Sequence, residues 1–374
     1  MAGLYIHIPF CKQACHYCNF HFSTTQKNKQ QIVGAIASEM NLRKGYLNGE
    51  NISSIYFGGG TPSILSVDEI KHLLNSVYDN FIVEDNAEIT LEANPDDLTI
   101  EKIYELAQTK INRLSIGIQS FFDEDLIWMN RAHHSKQALD CISNAKKAGF
   151  KNITIDLIYG MPTLTDEKWI ANLETALSLN IDHISSYALT VENKTALDYL
   201  IRQKKTLPVN EEQSARQFEM LISILGKNKF EQYEISNFAR NKKYAIHNTS
   251  YWKNEIYLGV GPSAHSFNKI TRCWNVANNV SYLKAIEQNN PLFETEILTI
   301  ENRLNEYIMT GLRTIWGCDI QFIESEFGQS YSEKITQEIV KMQSAGLIEI
   351  KGDIFTLTPK AKLFADKIAS DLFQ

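Results

Sequence analysis

The chain has 374 residues, 44% hydrophobic and 22% charged, with a formal net charge of −7, which suits one large globular domain plus a small one and excludes a disordered or fibrous chain. Lysine and arginine are scattered, so no basic stripe marks a nucleic-acid partner; no apolar run approaches a transmembrane span, and the first residues lack the regions of a secretory leader. Six cysteines, three of them clustered, do not make a disulfide scaffold, and thiols kept free for a metal point to a reducing compartment, so a cytoplasmic location is expected.

From the start to about residue 230, short apolar segments alternate with longer amphipathic ones. Strands are expected at Gly3–Ile8, Ser54–Phe57, Glu88–Glu92, Arg113–Ile118, Asn152–Ile158 and His183–Ala188. Helical periodicity marks Gln30–Leu47, Val67–Asn80, Ile100–Gln108, Ser135–Ala148, Asp166–Leu179 and Glu211–Leu225. Strand–helix alternation of this kind argues for a parallel sheet with right-handed crossovers. Six units fit a doubly wound sheet or an incomplete barrel, and periodicity leaves both open. An aromatic-rich stretch follows, with His247-Asn-Thr-Ser-Tyr-Trp252 and Tyr257-Leu-Gly-Val-Gly-Pro-Ser-Ala-His265. Beyond Thr299 come helices (Arg303–Arg313, Ile320–Glu326, Ser332–Ala345), a hairpin around Lys351-Gly352-Asp353 and a last helix, Pro359–Leu372. Helices followed by a hairpin suggest a winged helix, and without a basic face it suits a cover or docking surface better than DNA.

The chemistry gathers at the carboxyl ends of the expected strands, where parallel sheets and barrels carry their sites. The first strand runs into Cys11-Lys-Gln-Ala-Cys15-His-Tyr-Cys18. Four thiolates would complete a zinc site or close a cubane cluster; three leave one position open for something the metal must bind. The isolated Cys141, Cys273 and Cys318 suit small buried apolar groups. Gly58-Gly59-Gly60-Thr61-Pro62 follows the second strand, either as a tight turn or as bare backbone approaching a ligand. Glu92 and Gln119 end the third and fourth strands, and Asp156 lies on the fifth.

Cysteines at this spacing directly after a first strand resemble the radical S-adenosylmethionine (SAM) superfamily. Tyr5-Ile-His-Ile-Pro-Phe-Cys11 narrows the resemblance to the branch that holds oxygen-independent coproporphyrinogen III oxidase and its heme-chaperone relatives, over nearly the whole chain. That resemblance implies an α/β fold, a radical SAM (β/α)6 partial TIM barrel (residues 1–235), an aromatic-rich connector (236–295) and a small C-terminal winged-helix-like domain (296–374). It implies a [4Fe-4S] cluster on Cys11, Cys15 and Cys18, with SAM on the fourth iron. By the same resemblance Gly59, Gly60 and Thr61 meet the SAM amino group, Glu92 the ribose, and Tyr5 and Tyr17 flank SAM and cluster. Gln119, Arg131 and Asp156 match positions that, in the oxidase, contact a second SAM or its surroundings.

Two departures separate the chain from the oxidase. The oxidase has a fourth cysteine where Phe20 stands, and it has a longer arm than the ten residues that precede Cys11 here. Phe20 and the His247-Asn-x-x-Tyr-Trp252 element resemble the heme chaperones instead. Imidazole is a common axial ligand of heme iron and aromatic rings make walls for a porphyrin, so His247, Tyr251, Trp252 and His265 are the expected heme contacts. The resemblance then implies heme and heme-accepting proteins as partners, respiratory membrane complexes among them, and leaves a homodimer open. The competing expectations are an oxidase that decarboxylates porphyrinogen propionates through a SAM-derived radical, and a cluster-bearing electron-transfer module without heme.

Overall fold

A computed structural model describes all 374 residues. Six strands, β1 (Ala2–Ile8), β2 (Ile52–Gly59), β3 (Val83–Ala93), β4 (Arg113–Gln119), β5 (Asn152–Tyr159) and β6 (His183–Ala188), lie side by side in chain order, every neighbouring pair parallel. An order that never doubles back has no switch point, so the doubly wound alternative falls and a barrel wound in one direction remains.

The barrel does not close on itself. At the β6 edge a hairpin of β7 (Glu231–Glu234) and β8 (Asn237–Ala239) pairs antiparallel. At the β1 edge β9 (Ile256–Val260) adds in parallel, followed by antiparallel β10 (His265–Phe267), β11 (Thr271–Asn275) and β12 (Phe293–Ile297). This extension is tied to the first helix by Glu39. Its buried carboxylate pairs with Arg43 (3.1 Å) and accepts from Tyr282 Oη (2.6 Å), Asn275 Nδ2 (2.7 Å) and the Gly261 amide (2.8 Å).

Helices cover the outside because each strand alternates. Ile55 and Phe57, Ile89 and Leu91, Leu114 and Ile116, Ile153 and Ile155 are buried in one apolar core with the helix stripes. The residues between them turn inward and are polar. They bond one another across the barrel: Arg113 pairs with Glu88 (3.5 Å) and donates to Asn152 Oδ1 (2.7 Å), and His183 shares hydrogen bonds with Thr154 Oγ1 (3.1 Å) and Tyr233 Oη (2.7 Å).

The covering helices are Lys29–Leu42, Val67–Asn80, Ile100–Leu106, Ser135–Lys147, Asp166–Ser178 and Glu211–Lys227. Val67–Asn80 shows the local logic: Ser66 accepts from the Glu69 amide while the Glu69 carboxylate accepts from the Ser66 amide, a reciprocal cap. The first helix stops short of the expected Leu47; left-handed Asn48 and Gly49 follow (φ 51° and 80°). Short helices Asp123–Trp128, Ala196–Arg202 and Ile246–Trp252 were not expected from periodicity; six or seven residues carry too few turns to show a stripe.

Residues 304–372 build a second, separate apolar core. Helices Ile300–Leu312, Ile320–Phe327 and Gln329–Ser344 pack with a three-stranded sheet of β13 (Cys318–Asp319), β14 (Ile348–Lys351) and β15 (Ile354–Leu357), with left-handed Gly352 in the hairpin turn. The expected last helix divides into a 3₁₀ turn, Pro359–Phe364, and an α-helix, Ala365–Asp371. No helix is long and apolar enough to cross a membrane.

Candidate functional site

At the carboxyl ends of β1–β6 a cavity of about 440 Å³ opens, lined by Cys11, Cys15, Cys18, Tyr17, Gly59, Gly60, Thr61, Glu92, Gln119, Arg131 and Asp156. Residues read from five separate strand ends thus converge on one place. Tyr5 does not line it. Lying three residues before the end of β1, it sits one level deeper, stacked on Tyr56 (ring centroids 6.2 Å apart) and bonded to His7 Nδ1 (3.3 Å).

The cysteine loop is held from several sides. Lys12 pairs with Asp96 (2.9 Å) and Asp97 beyond the end of β3. Gln13 Nε2 donates to Asn130 Oδ1 (2.6 Å), Asn130 Nδ2 donates to Ala14 O (2.7 Å), and the His16 ring bonds Trp128 O (2.8 Å). Thr61 Oγ1 donates to Cys11 Sγ (3.3 Å) and Arg131 Nη1 to Cys15 Sγ (3.4 Å). Burial pushes the Cys11 thiol up to about 11 against the Thr61 bond, and burial also raises Cys18. All three thiols are free. No three His, Cys, Asp or Glu side chains close tightly enough to share a single ion. Three thiols spread around one wall, with no fourth, suit a cluster whose irons each take one sulfur.

The rest of the cavity is shaped for close approach. A Cβ on Gly60 would stand 2.6 Å from Phe10 O, so the loop reaches the cysteine segment only as glycine. Gln119 ends β4 in the left-handed region (φ 67°) after a register shift against β5, and it is nearly buried. Such a backbone costs on the order of 1 kcal/mol and persists where the surroundings over-determine it. Burial lifts the Glu92 carboxyl to about 7, opposed by the Tyr56 hydroxyl, which donates to Oε1 at 2.7 Å, and reinforced by the charge of Asp156. Burial likewise lifts Asp156 to about 6, against Ser185, Arg113 and Arg131. Arg131 donates to Asn94 Oδ1 (2.6 Å) and Gly117 O (2.9 Å), while its Nε is buried with no partner, an unspent donor at the cavity.

Asn94, Ser115 and Gly117 also line the cavity and were not singled out from the sequence. The last two were findable: they precede Gln119 by four and two residues on β4, so strand alternation puts them on its face.

A second cavity, about 710 Å³, lies between the β1 edge, the strands β9–β11 and helix Ile300–Leu312. Tyr5, His7, Tyr251, Trp252, Tyr257, His265 and Phe267 form its aromatic wall, and Asn19 and Phe20 line both cavities. His247 lines neither. It is 1% exposed, packed against the starts of β1 and β2; its ring nitrogens are taken by Ser54 Oγ and Tyr251 Oη (2.9 Å each) and its amide donates to Glu88 Oε1 (3.1 Å). The expected heme residue is therefore a strut of the barrel floor, with no lone pair free for a metal.

Comparison with known proteins agrees with this geometry. Residues 5–176 match the family model described as "Radical SAM superfamily", and residues 298–364 the one described as "HemN C-terminal domain". The chain is 34% identical over 373 residues to a protein named heme chaperone HemW from Bacillus subtilis, covering 98% of each, and 35% identical to one from Lactococcus lactis over 92% and 90%. The solved structure of coproporphyrinogen III oxidase (HemN) from Escherichia coli matches with a TM-score of 0.86 over 100% of this chain and 90% of that one; at 23% identity this shows the fold. The chain belongs to the HemW group of the HemN-like radical SAM family, whose cofactors are a [4Fe-4S] cluster and SAM.

Proposed function

We propose that the protein is a heme chaperone: it binds heme, keeps a SAM-ligated [4Fe-4S] cluster beside it, and passes heme to acceptor hemoproteins. The observation that carries this reading is the second cavity, walled by aromatic rings and sharing Asn19 and Phe20 with the cofactor cavity. A flat apolar macrocycle fits such walls, and its iron seeks a neutral imidazole or a phenol. The names carried by the Bacillus and Lactococcus relatives support it.

Cys11, Cys15 and Cys18 supply the thiolates for the cluster, which when bound supplies one-electron reduction and an open iron for SAM. Gly59, Gly60 and Thr61 offer backbone and hydroxyl to the amino acid end of SAM. Glu92 accepts from a ribose diol once ionised, and Arg131, Gln119 and Asp156 close the far wall. Tyr17 packs at the cluster edge. Titrating the anaerobically reconstituted protein with heme tests the reading: saturation near one heme per chain, followed by loss of that heme to an added apo-hemoprotein, is expected. No saturable binding would end it.

A further inference from the structure

We propose that His265 ligates the iron of a heme seated in the second cavity and that Arg272 holds one of its propionates. This rests on the carrier reading above and names the contacts of the same cavity.

A ligand to iron must offer an unshared nitrogen lone pair. Four imidazoles stand around the cavity: His7 and His247 have both ring nitrogens engaged, His21 has one, and His265 alone has neither. His7 bonds Tyr5 Oη and His21 O, His21 bonds Asn279 Oδ1 (2.8 Å), and His247 is buried between Ser54 and Tyr251. His265 lines the cavity, is exposed, and makes no side-chain hydrogen bond, its ring resting on Trp274 (centroids 6.0 Å apart, planes 26°). Partial burial and the charge of Arg272 both favour its neutral form, the one that coordinates a metal.

The hairpin places the second contact. In the β10–β11 ladder His265 faces Trp274 and Phe267 faces Arg272, so all four share one face and His265 and Arg272 are diagonal neighbours. Iron and carboxylate of one porphyrin are too far apart to meet the same side chain, so two side chains are needed, and this diagonal pair supplies them. Arg272 is the one lysine or arginine among the lining residues. It spends two N–H groups on Glu306 (2.6 and 3.0 Å), and its guanidinium lies 5.5 Å from the Phe267 centroid. A guanidinium has five N–H donors, so it keeps donors for a second carboxylate.

The test titrates the reconstituted protein with hemin and, separately, with hemin dimethyl ester, whose propionates are masked. In His265→Ala the Soret band should move and hemin affinity fall about tenfold or more, with added imidazole restoring the wild-type band. In Arg272→Gln hemin affinity should fall about tenfold while ester affinity stays, erasing the wild-type preference for the free acid. An unchanged Soret band in His265→Ala, or an unchanged hemin-to-ester ratio in Arg272→Gln, overturns the assignment and leaves the carrier reading standing. A wild-type protein that binds no hemin overturns the carrier reading, and this assignment with it.

Discussion

Glu92 and Asp156 are carboxyls kept inside a barrel that favours their protonated forms. Burial lifts them to about 7 and about 6 from ordinary values of 4.5 and 3.8. The native state thus holds protons that the unfolded chain has released, so stability falls as pH rises between about 4 and 7 and the cost is fully present above 7. In the cofactor-free protein, Glu92→Gln should gain about 1–2 kcal/mol at pH 8, reduced by cavity water from the full shift, and almost nothing at pH 4. Thermal melts at the two pH values check this, and an equal gain at both would place the cost elsewhere. On the proposed cluster assignment, replacing Cys11, Cys15 or Cys18 by alanine should remove the visible iron–sulfur absorption and bound sulfide. A triple variant that still takes up four irons would refute the cluster assignment. These residues were legible because spacing and strand ends are written in the chain. The fate of His247 was not, since a motif does not say which way its helix turns, and Ser54, Tyr251 and Glu88 come from distant segments.

At the scale of elements, the C-terminal unit is clasped to the barrel by Arg313. It donates to Glu234 Oε1 (3.2 Å) and Asp366 Oδ1 (2.5 Å), while Ile235 N donates to Arg313 O (3.1 Å) and Ile315 N to Tyr233 O (3.0 Å). Glu234 is buried, and its other oxygen accepts from the Ser236 amide and Asn237 Nδ2. Arg313→Ala should therefore cost about 1–3 kcal/mol and speed proteolysis within residues 298–374 before the barrel is cut. Unaltered proteolysis would show that the backbone pairing alone holds the unit. The long helices were readable from their stripes and caps. The seat of β9–β12 was not, because pairing with β1 joins segments some 250 residues apart and leaves no periodic trace; only the buried Glu39 cluster reveals it.

The whole molecule turns on strand order. Alternation of strand and helix allowed a doubly wound sheet or a barrel, since neither period nor length records which strands are neighbours; family resemblance pointed to the barrel, and the unbroken order β1 to β6 is its physical basis. The polar interior was half visible, as Glu88, Arg113, Thr154 and His183 sit at alternating strand positions, yet each alone looks like an ordinary strand end. The result is a barrel mouth lined by the three clustered cysteines with an aromatic cavity beside it, the two sharing Asn19 and Phe20. On the proposed function, that division lets a carrier hold a porphyrin next to the cofactors instead of processing it among them. The most direct measurement incubates the reconstituted protein anaerobically with SAM, a reductant and coproporphyrinogen III, with heme as a competitor in a parallel sample. A carrier should leave coproporphyrinogen III unconsumed over many cluster equivalents while binding about one heme per chain; steady formation of protoporphyrinogen would contradict it and make the protein a porphyrin-pathway oxidase.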